Sequence, residues 1–155
     1  MNINGTDDQF YRYKMNKLEV RYNLGRKRTY IINLVDVSND IDRDIDFIKK
    51  YFNKKMSISV NWKKKENELE LGGVFELRKL QEILGEMIKE YVLCLSCGNP
   101  ETKIKYSSSK GECIQMKCTA CGKKNVIKES SDIDVFECML KYLKSKKKQK
   151  TKKNK

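Results

Sequence analysis

Two periods of apolar residues run through this chain. Between Leu18 and Leu34 they sit at strand spacing: Leu18, Val20 and Tyr22 in one run, Thr29 to Leu34 in the next, joined by Asn23-Leu-Gly25-Arg-Lys-Arg28. β-Branched and aromatic residues on both sides of an Asn/Gly turn predict a hairpin. After Ser38, a candidate N-cap, Ile41, Ile45, Ile48 and Phe52 recur at steps of four, three and four, which is one helical face. Met56, Ile58, Val60 and Trp62 return to period two. Glu68-Leu69-Glu70-Leu71 repeats that pattern beyond the turn from Lys63 to Asn67, so a second hairpin with one buried face is expected. Gly72-Gly73 ends it. Leu77, Leu80, Leu84, Met87 or Ile88, and Tyr91 then form the strongest helical stripe in the sequence. Strand, strand, helix, strand, strand, helix folds most simply as a four-stranded sheet with two helices packed on one face.

At Tyr91 the character changes. Short strand-like pieces at Ile104 to Tyr106, Cys113 to Met116 and Val126 to Ile127 lie among cysteines, and a last amphipathic helix is expected from about Asp132 to Tyr142. From Ser145 to Lys155 there is no apolar residue, and such a segment is expected not to pack.

Cys94-x2-Cys97 and Cys118-x2-Cys121 are separated by 20 residues, the spacing of a zinc ribbon. Two thiolates on one tight turn can reach the same ion at Zn–S distances of about 2.3 Å, and a second such turn closes the tetrahedron. Gly98 and Gly122 follow the second cysteine of each pair, where a left-handed backbone is easiest for glycine. The spacing therefore points to a structural Zn2+ on Cys94, Cys97, Cys118 and Cys121. Four reduced core cysteines, or a redox pair, are the alternatives. A catalytic zinc is disfavoured because four thiolates leave no open position for water. Cys138 falls on the apolar side of the last helix, and Cys113 reads as an ordinary strand residue. The fold class is thus α+β, in four parts: an N-terminal arm over 1–17, a sheet-and-helix domain over 18–91, a C4 zinc ribbon with a C-terminal helix over 92–143, and a disordered Lys-rich tail over 144–155.

Composition narrows the chemistry. The 155 residues include no histidine, which removes Ser-His-Asp and Cys-His nucleophilic sites, zincin helices and any imidazole base. Neither a GxxxxGK[ST] loop nor a GxGxxG turn occurs, so a nucleotide site of the usual kinds is not expected. No apolar run approaches the roughly 18 residues of a spanning helix, and the N-terminus lacks the apolar core of a signal peptide. A soluble chain with reduced thiols and no membrane partner is the expectation. The net charge is +13, but nine lysines lie in residues 141–155 with no acid among them, leaving +4 for the preceding 140 residues. The folded part is only mildly basic, with Arg12, Lys14, Arg26, Lys27, Arg28 and Lys50 as a candidate phosphate-facing patch.

Phe10-Tyr11-Arg12-Tyr13-Lys14 places one guanidinium among three rings ahead of the first strand. The rings could simply anchor a loose arm, with Arg12 stacked on a tyrosine. Alternatively, a mobile arm delivers the cation to a partner's phosphate, which arginine matches bidentately.

DQFYRYKM at 8–15, INLVDV at 32–37, KYF at 50–52, KLQEILGEMIKEYVLCLSCGNPET at 79–102 and CTACGKK at 118–124 together resemble the N-terminal domain of eukaryotic translation initiation factor 5. The resemblance runs over about residues 8–143. The beta subunit of initiation factor 2 is similar over the sheet and ribbon, and the arm FYRYKM favours factor 5. The resemblance implies a protein that is not itself an enzyme but activates GTP hydrolysis by the gamma subunit of initiation factor 2. That reaction takes place in the cytoplasm, on the small ribosomal subunit, with initiator tRNA and mRNA at the start codon. The arginine proposed as the family's arginine finger falls on Arg12. Two supporting lysines fall on Arg28, where the type has changed, and on Lys50. Catalysis of phosphoryl transfer is mostly positioning and charge stabilisation, and a finger supplied in trans is worth about 10³ to 10⁵ in rate.

The sequence departs from the family pattern at Asn16, where proline is usual, at Asn53, where glycine is usual, and in the loop Asn23 to Arg28. That loop is shorter and more basic than the family's Gly-rich loop, which lies near the codon and anticodon. The chain ends at Lys155, where family members continue into a helical-repeat domain, so a stand-alone, monomeric activating module is expected. The competing expectations are a non-catalytic subunit like the beta subunit of initiation factor 2, or a generic zinc-ribbon nucleic-acid binder.

Overall fold

The first hairpin is β1 (Val20–Tyr22) with β2 (Thr29–Ile31), and the second is β3 (Val60–Lys63) with β4 (Glu68–Leu71). They form one antiparallel sheet in the order β1-β2-β4-β3. The computed structural model describes residues 1–25, 27–109 and 111–153, and Arg26, one member of the candidate basic patch, lies outside the described residues. The chain divides into two compact units, Met1–Ile88 and Lys89–Lys155.

Register explains the two faces of the first sheet. Ile31 opposes Leu69, while Thr29 and Val60 both oppose Leu71, and all five side chains are buried. The intervening positions Arg21, Tyr30, Glu70 and Asn61 form a single cross-strand row on the other face. Alternation at period two thus separates core from a polar ladder.

The sequence pattern predicts one helix from Ser38 through Phe52, and the structure has two: α1 (Leu34–Asp40) and α2 (Ile45–Met56). The chain turns between them at Asp42, whose φ is 52°. Ser38 is not an N-cap. It lies inside α1 and donates its hydroxyl to Val35 O at 2.7 Å. Ile41, the C-cap of α1, and Ile48 of α2 are both buried, so residues on either side of the turn keep the spacing that mimics one helix. Arg43, in the same turn and 7% exposed, donates Nη1 to Asp42 O at 2.8 Å. Burial lowers its guanidinium to about 10, against the pull of Asp42. The second hairpin starts later than the pattern predicts: Met56 ends α2, Ser57 takes a left-handed φ of 53°, and the strand begins at Val60.

Helix α3 (Leu77–Tyr91) carries the predicted stripe, with Leu80, Ile83, Leu84, Met87, Ile88 and Tyr91 buried. Leu77, at its first turn, is exposed.

In the second unit β5 (Thr102–Ser107), β6 (Cys113–Cys118) and β7 (Lys124–Ile127) form an antiparallel sheet in that order. Helix α4 (Ile133–Lys153) follows, opened by Asp132, whose Oδ1 accepts Val135 N at 3.1 Å. Val135, Phe136, Met139 and Leu143 are buried, as are Ile114, Met116 and Ile127 of the strands. The expected disordered tail is corrected here, since α4 continues through it to Lys153. Lys and Gln are good helix formers, and residues 144–153 contain neither Gly nor Pro. Among the described residues, no helix is long and apolar enough to cross a membrane.

Candidate functional site

The two CxxC turns are built alike. Cys94 N donates to Asn99 O at 2.9 Å and Gly98 N to Cys94 O at 2.8 Å; Cys118 N donates to Lys123 O at 3.0 Å and Gly122 N to Cys118 O at 3.1 Å. Gly98 and Gly122 have φ of 73° and 74°, the left-handed region in which a side chain is strained. These matched turns bring all four sulfurs within 4.8 Å of one another. Cys94 to Cys121 and Cys97 to Cys118 are each 3.7 Å. Sulfurs at about 2.3 Å from a tetrahedral ion would be about 3.8 Å apart, so the set fits a four-coordinate metal. Cys113 and Cys138 stand outside the cluster.

Electrostatics also favour a cation there. Burial opposes charge on Cys94, yet the N–H groups of Cys97 and Ser96 and the neighbouring thiols lower it to about 6. Cys97 is pushed up to about 12: the Asn99 N–H lowers it, but desolvation and the surrounding thiols outweigh that. A cation held by the four sulfurs would favour the ionised form of the thiols that the cluster otherwise keeps protonated. Asn125 of β7, which the cysteine spacing does not single out, donates Nδ2 to Cys94 Sγ at 3.3 Å and accepts Ser96 Oγ at 2.9 Å. Only the pairing of β6 with β7 brings it to the knuckle, so no local motif announces it.

The N-terminal arm is folded back rather than loose. Met15 N donates to Met1 O at 2.8 Å and Ile3 N to Tyr13 O at 3.1 Å. Asn2, buried, donates Nδ2 to Asp8 O at 2.7 Å and accepts Lys14 Nζ at 2.5 Å. Asn16 ties the arm to α1 through two bonds to Asp40 Oδ2, 2.7 Å from its backbone N and 2.9 Å from Nδ2. On this pinned loop Phe10 is 95% exposed. Arg12 is also exposed, its Cζ 5.7 Å from the centre of the Tyr13 ring. Among the described residues no carboxylate pairs with it.

Arg28 is placed differently. It donates Nη1 to Oε1 of Glu70 at 2.7 Å, and Glu70 is only 4% exposed. Tyr30 OH donates to the other oxygen at 2.9 Å, with Lys63 Nζ 3.6 Å away. Burial works against the carboxylate, but the bonds from Tyr30 and Asn61 and the charges of Arg28 and Lys63 hold it below its ordinary range. Lys50 is exposed on α2, and Lys14 is engaged by Asn2. In the loop before Arg28, Asn23 Oδ1 accepts the backbone N–H of Lys27 and of Arg28, each at 2.9 Å, leaving Leu24 fully exposed at the tip. The structure brings the four cysteines together. Among the described residues, no direct contact joins Arg12, Arg28 and Lys50.

A small antiparallel α+β domain followed by a ribbon whose four cysteines could hold a metal ion is the class that this fold and site define. The family model for the domain found in initiation factors 2B and 5 matches residues 4–124, and the chain belongs to that family of translation initiation factor domains. It is 40% identical over 121 residues to eukaryotic translation initiation factor 5 of Phaseolus vulgaris, covering 76% of this chain and 26% of the relative. It is 35% identical over 130 residues to the factor 5 of Mus musculus, covering 82% of this chain and 30% of the relative. The Dictyostelium discoideum factor 5 is 38% identical over 120 residues, covering 76% and 29%. The chain thus matches less than a third of the length of these relatives.

Proposed function

We propose that this domain acts in translation initiation as a factor 5-like activator of GTP hydrolysis by the gamma subunit of initiation factor 2. The setting is the small ribosomal subunit in the cytoplasm, with initiator tRNA and mRNA engaged, and the domain acts as a monomer without a nucleotide site of its own. The observation that carries the reading is Arg12: a solvent-facing guanidinium, free of carboxylates among the described residues, on a loop pinned through Asn2 and Asn16. A pre-positioned cation loses less entropy on engaging a phosphoryl group than one on a loose arm, and such a group in trans is worth about 10³ to 10⁵ in rate. Lys50 offers a second cation without a carboxylate partner among the described residues. Arg28 acts indirectly in this reading, since Glu70 holds it and it shapes the loop carrying Leu24 and Lys27. Zn2+ fills the Cys94, Cys97, Cys118 and Cys121 cluster as a structural ion.

The test is single-turnover GTP hydrolysis by factor 2 ternary complex on small subunits, with the unaltered domain, Arg12→Lys and Arg12→Ala. Stimulation by the unaltered domain and its loss by about 10³-fold or more in both variants is the expected result. No stimulation by the unaltered domain would leave a non-catalytic binding subunit as the better reading. Full activity in both variants would remove the finger role from Arg12.

A further inference from the structure

The C-terminal half of α4 does more than extend the fold. Leu143, Lys146, Lys147, Lys150 and Thr151 follow the spacing of a single helical face, and with Ile104, Lys105, Tyr106 and Ser107 of β5 they enclose a groove of about 500 Å³. Its floor is apolar, from Ile104, Leu143 and the Tyr106 ring. Its rim carries Lys105, Lys146, Lys147 and Lys150 with the neutral Ser107 and Thr151, and the one nearby acid, Glu112, accepts the Tyr106 hydroxyl at 2.8 Å and is paired with Lys144. Lys147 Nζ sits 5.5 Å from the centre of the Tyr106 ring, and Lys144, paired with Glu112, 5.4 Å from it. Lys146 Nζ is 5.4 Å from the Tyr142 ring. Burial, then the charge of Lys150, lowers the Lys146 ammonium from its ordinary value, so an anion would relieve a repulsion already present.

We propose that this groove between α4 and β5 is a binding site for single-stranded RNA, with phosphates on Lys146, Lys147 and Lys150 and a base on the Ile104–Leu143–Tyr106 floor. The volume lies in the range of small-molecule sites, and a nucleotide supplies both the anion and the flat apolar body that the lining asks for. A run of acidic side chains supplies only the charge. On the helix Lys146 and Lys150 are one turn apart, about 6 Å, so neighbouring phosphates can be held together. The groove belongs to the second compact unit and Arg12 to the first, and the proposal stands or falls independently of the GTPase reading.

The test is fluorescence anisotropy of the full chain with a labelled 12-nucleotide uridine oligomer across a range of salt. Two triple variants remove equal charge: Lys146→Ala/Lys147→Ala/Lys150→Ala on the groove, and Lys141→Ala/Lys148→Ala/Lys152→Ala on the opposite face of the same helix. The groove variant should lose at least tenfold more affinity than the opposite-face variant and show a shallower salt slope, by about 0.7 for each phosphate that is no longer held. Circular dichroism reports whether α4 persists in both. Equal losses would mean diffuse attraction to a charged helix and would overturn the site. Poly-glutamate competing as well as unlabelled oligomer, nucleotide for residue, would also overturn it, because charge alone would then be recognised.

Discussion

Arg28 is clamped to Glu70, its Nη1 2.7 Å from a carboxylate oxygen on the neighbouring strand. Glu70 is buried and also serves Tyr30 and, more distantly, Asn61 and Lys63, so the ladder converges on one acid rather than on the arginine. Glu70→Ala strands the Tyr30 hydroxyl and leaves three cationic or donor groups facing each other. The expected loss is on the order of 1–3 kcal/mol, read as a lower midpoint in urea. Arg28→Ala leaves the other partners on the carboxylate and removes a half-exposed arm of the pair, worth about 0–1 kcal/mol. Equal losses in the two variants would show that Arg28, and not the convergence on Glu70, carries the ladder.

The same acid sets a pH dependence. The folded state lowers Glu70 from its ordinary 4.5, because its hydrogen bonds and neighbouring cations outweigh burial. Its contribution is therefore complete above that ordinary value and is lost as pH falls through the lowered one. Melting temperature followed from pH 7 downward should drop below about pH 4.5 in the unaltered chain. Glu70→Gln should start lower and fall less steeply over that window. Parallel curves would place the acid sensitivity elsewhere.

What could be read in the sequence follows the range of each interaction. Leu69 and Leu71, the α3 stripe and the two cysteine pairs all act over a few residues, and periodicity or spacing places them. The α1–α2 break does not show, because Ile41 and Ile48 keep one face across a turn that depends on the positive φ of Asp42. Residues 144–153 include no apolar residue, yet helix propensity and the packing of lysine stems extend α4, and neither registers in an apolar pattern. Asn125 beside Cys94 and Glu70 under Arg28 depend on strand register, and pairing across tens of residues leaves no local signature.

The arm offers a way to separate presentation of Arg12 from its charge. Asn2→Ala removes the acceptor of Lys14 and the donor to Asp8 O while leaving Phe10 to Tyr13 unchanged. Hydrogen exchange at the Ile3 and Met15 amides, which bond across the loop, should speed up by about tenfold, for an opening cost lowered by roughly 1.4 kcal/mol. Stimulation of GTP hydrolysis should fall with the arm's order even though the guanidinium is present. Faster exchange with undiminished stimulation would show that the loop need not be pinned.

At the end of α2, Ser57 adopts φ 53° and ψ 44°, and its N–H caps Asn53 O. A non-glycine residue pays for that conformation, and Ser57 is exposed, with nothing in the core to lose. Ser57→Gly should therefore raise stability by about 0.5–1 kcal/mol, less whatever the unfolded chain gains in freedom. A higher midpoint in thermal or urea unfolding checks it; a lower one would mean that the serine side chain makes a compensating bond.

The knuckle glycines test the metal site by geometry alone. A Cβ on Gly98 or Gly122 would meet nothing within 4 Å, so Gly98→Ala and Gly122→Ala add no clash. The strain is entirely in φ, 73° and 74°, and costs about 1–2 kcal/mol at each position. The strained turn is the one that aims the sulfurs, so zinc affinity measured against a competing chelator should weaken by roughly 5- to 30-fold per substitution. Gly85, inside α3 and also with nothing within 4 Å, supplies the control. The same substitution there should stabilise by about 0.5–1 kcal/mol through helix propensity and leave metal affinity unchanged. If all three alanines weaken the metal alike, the effect is on general stability and not on the left-handed turns that bring the four cysteines together.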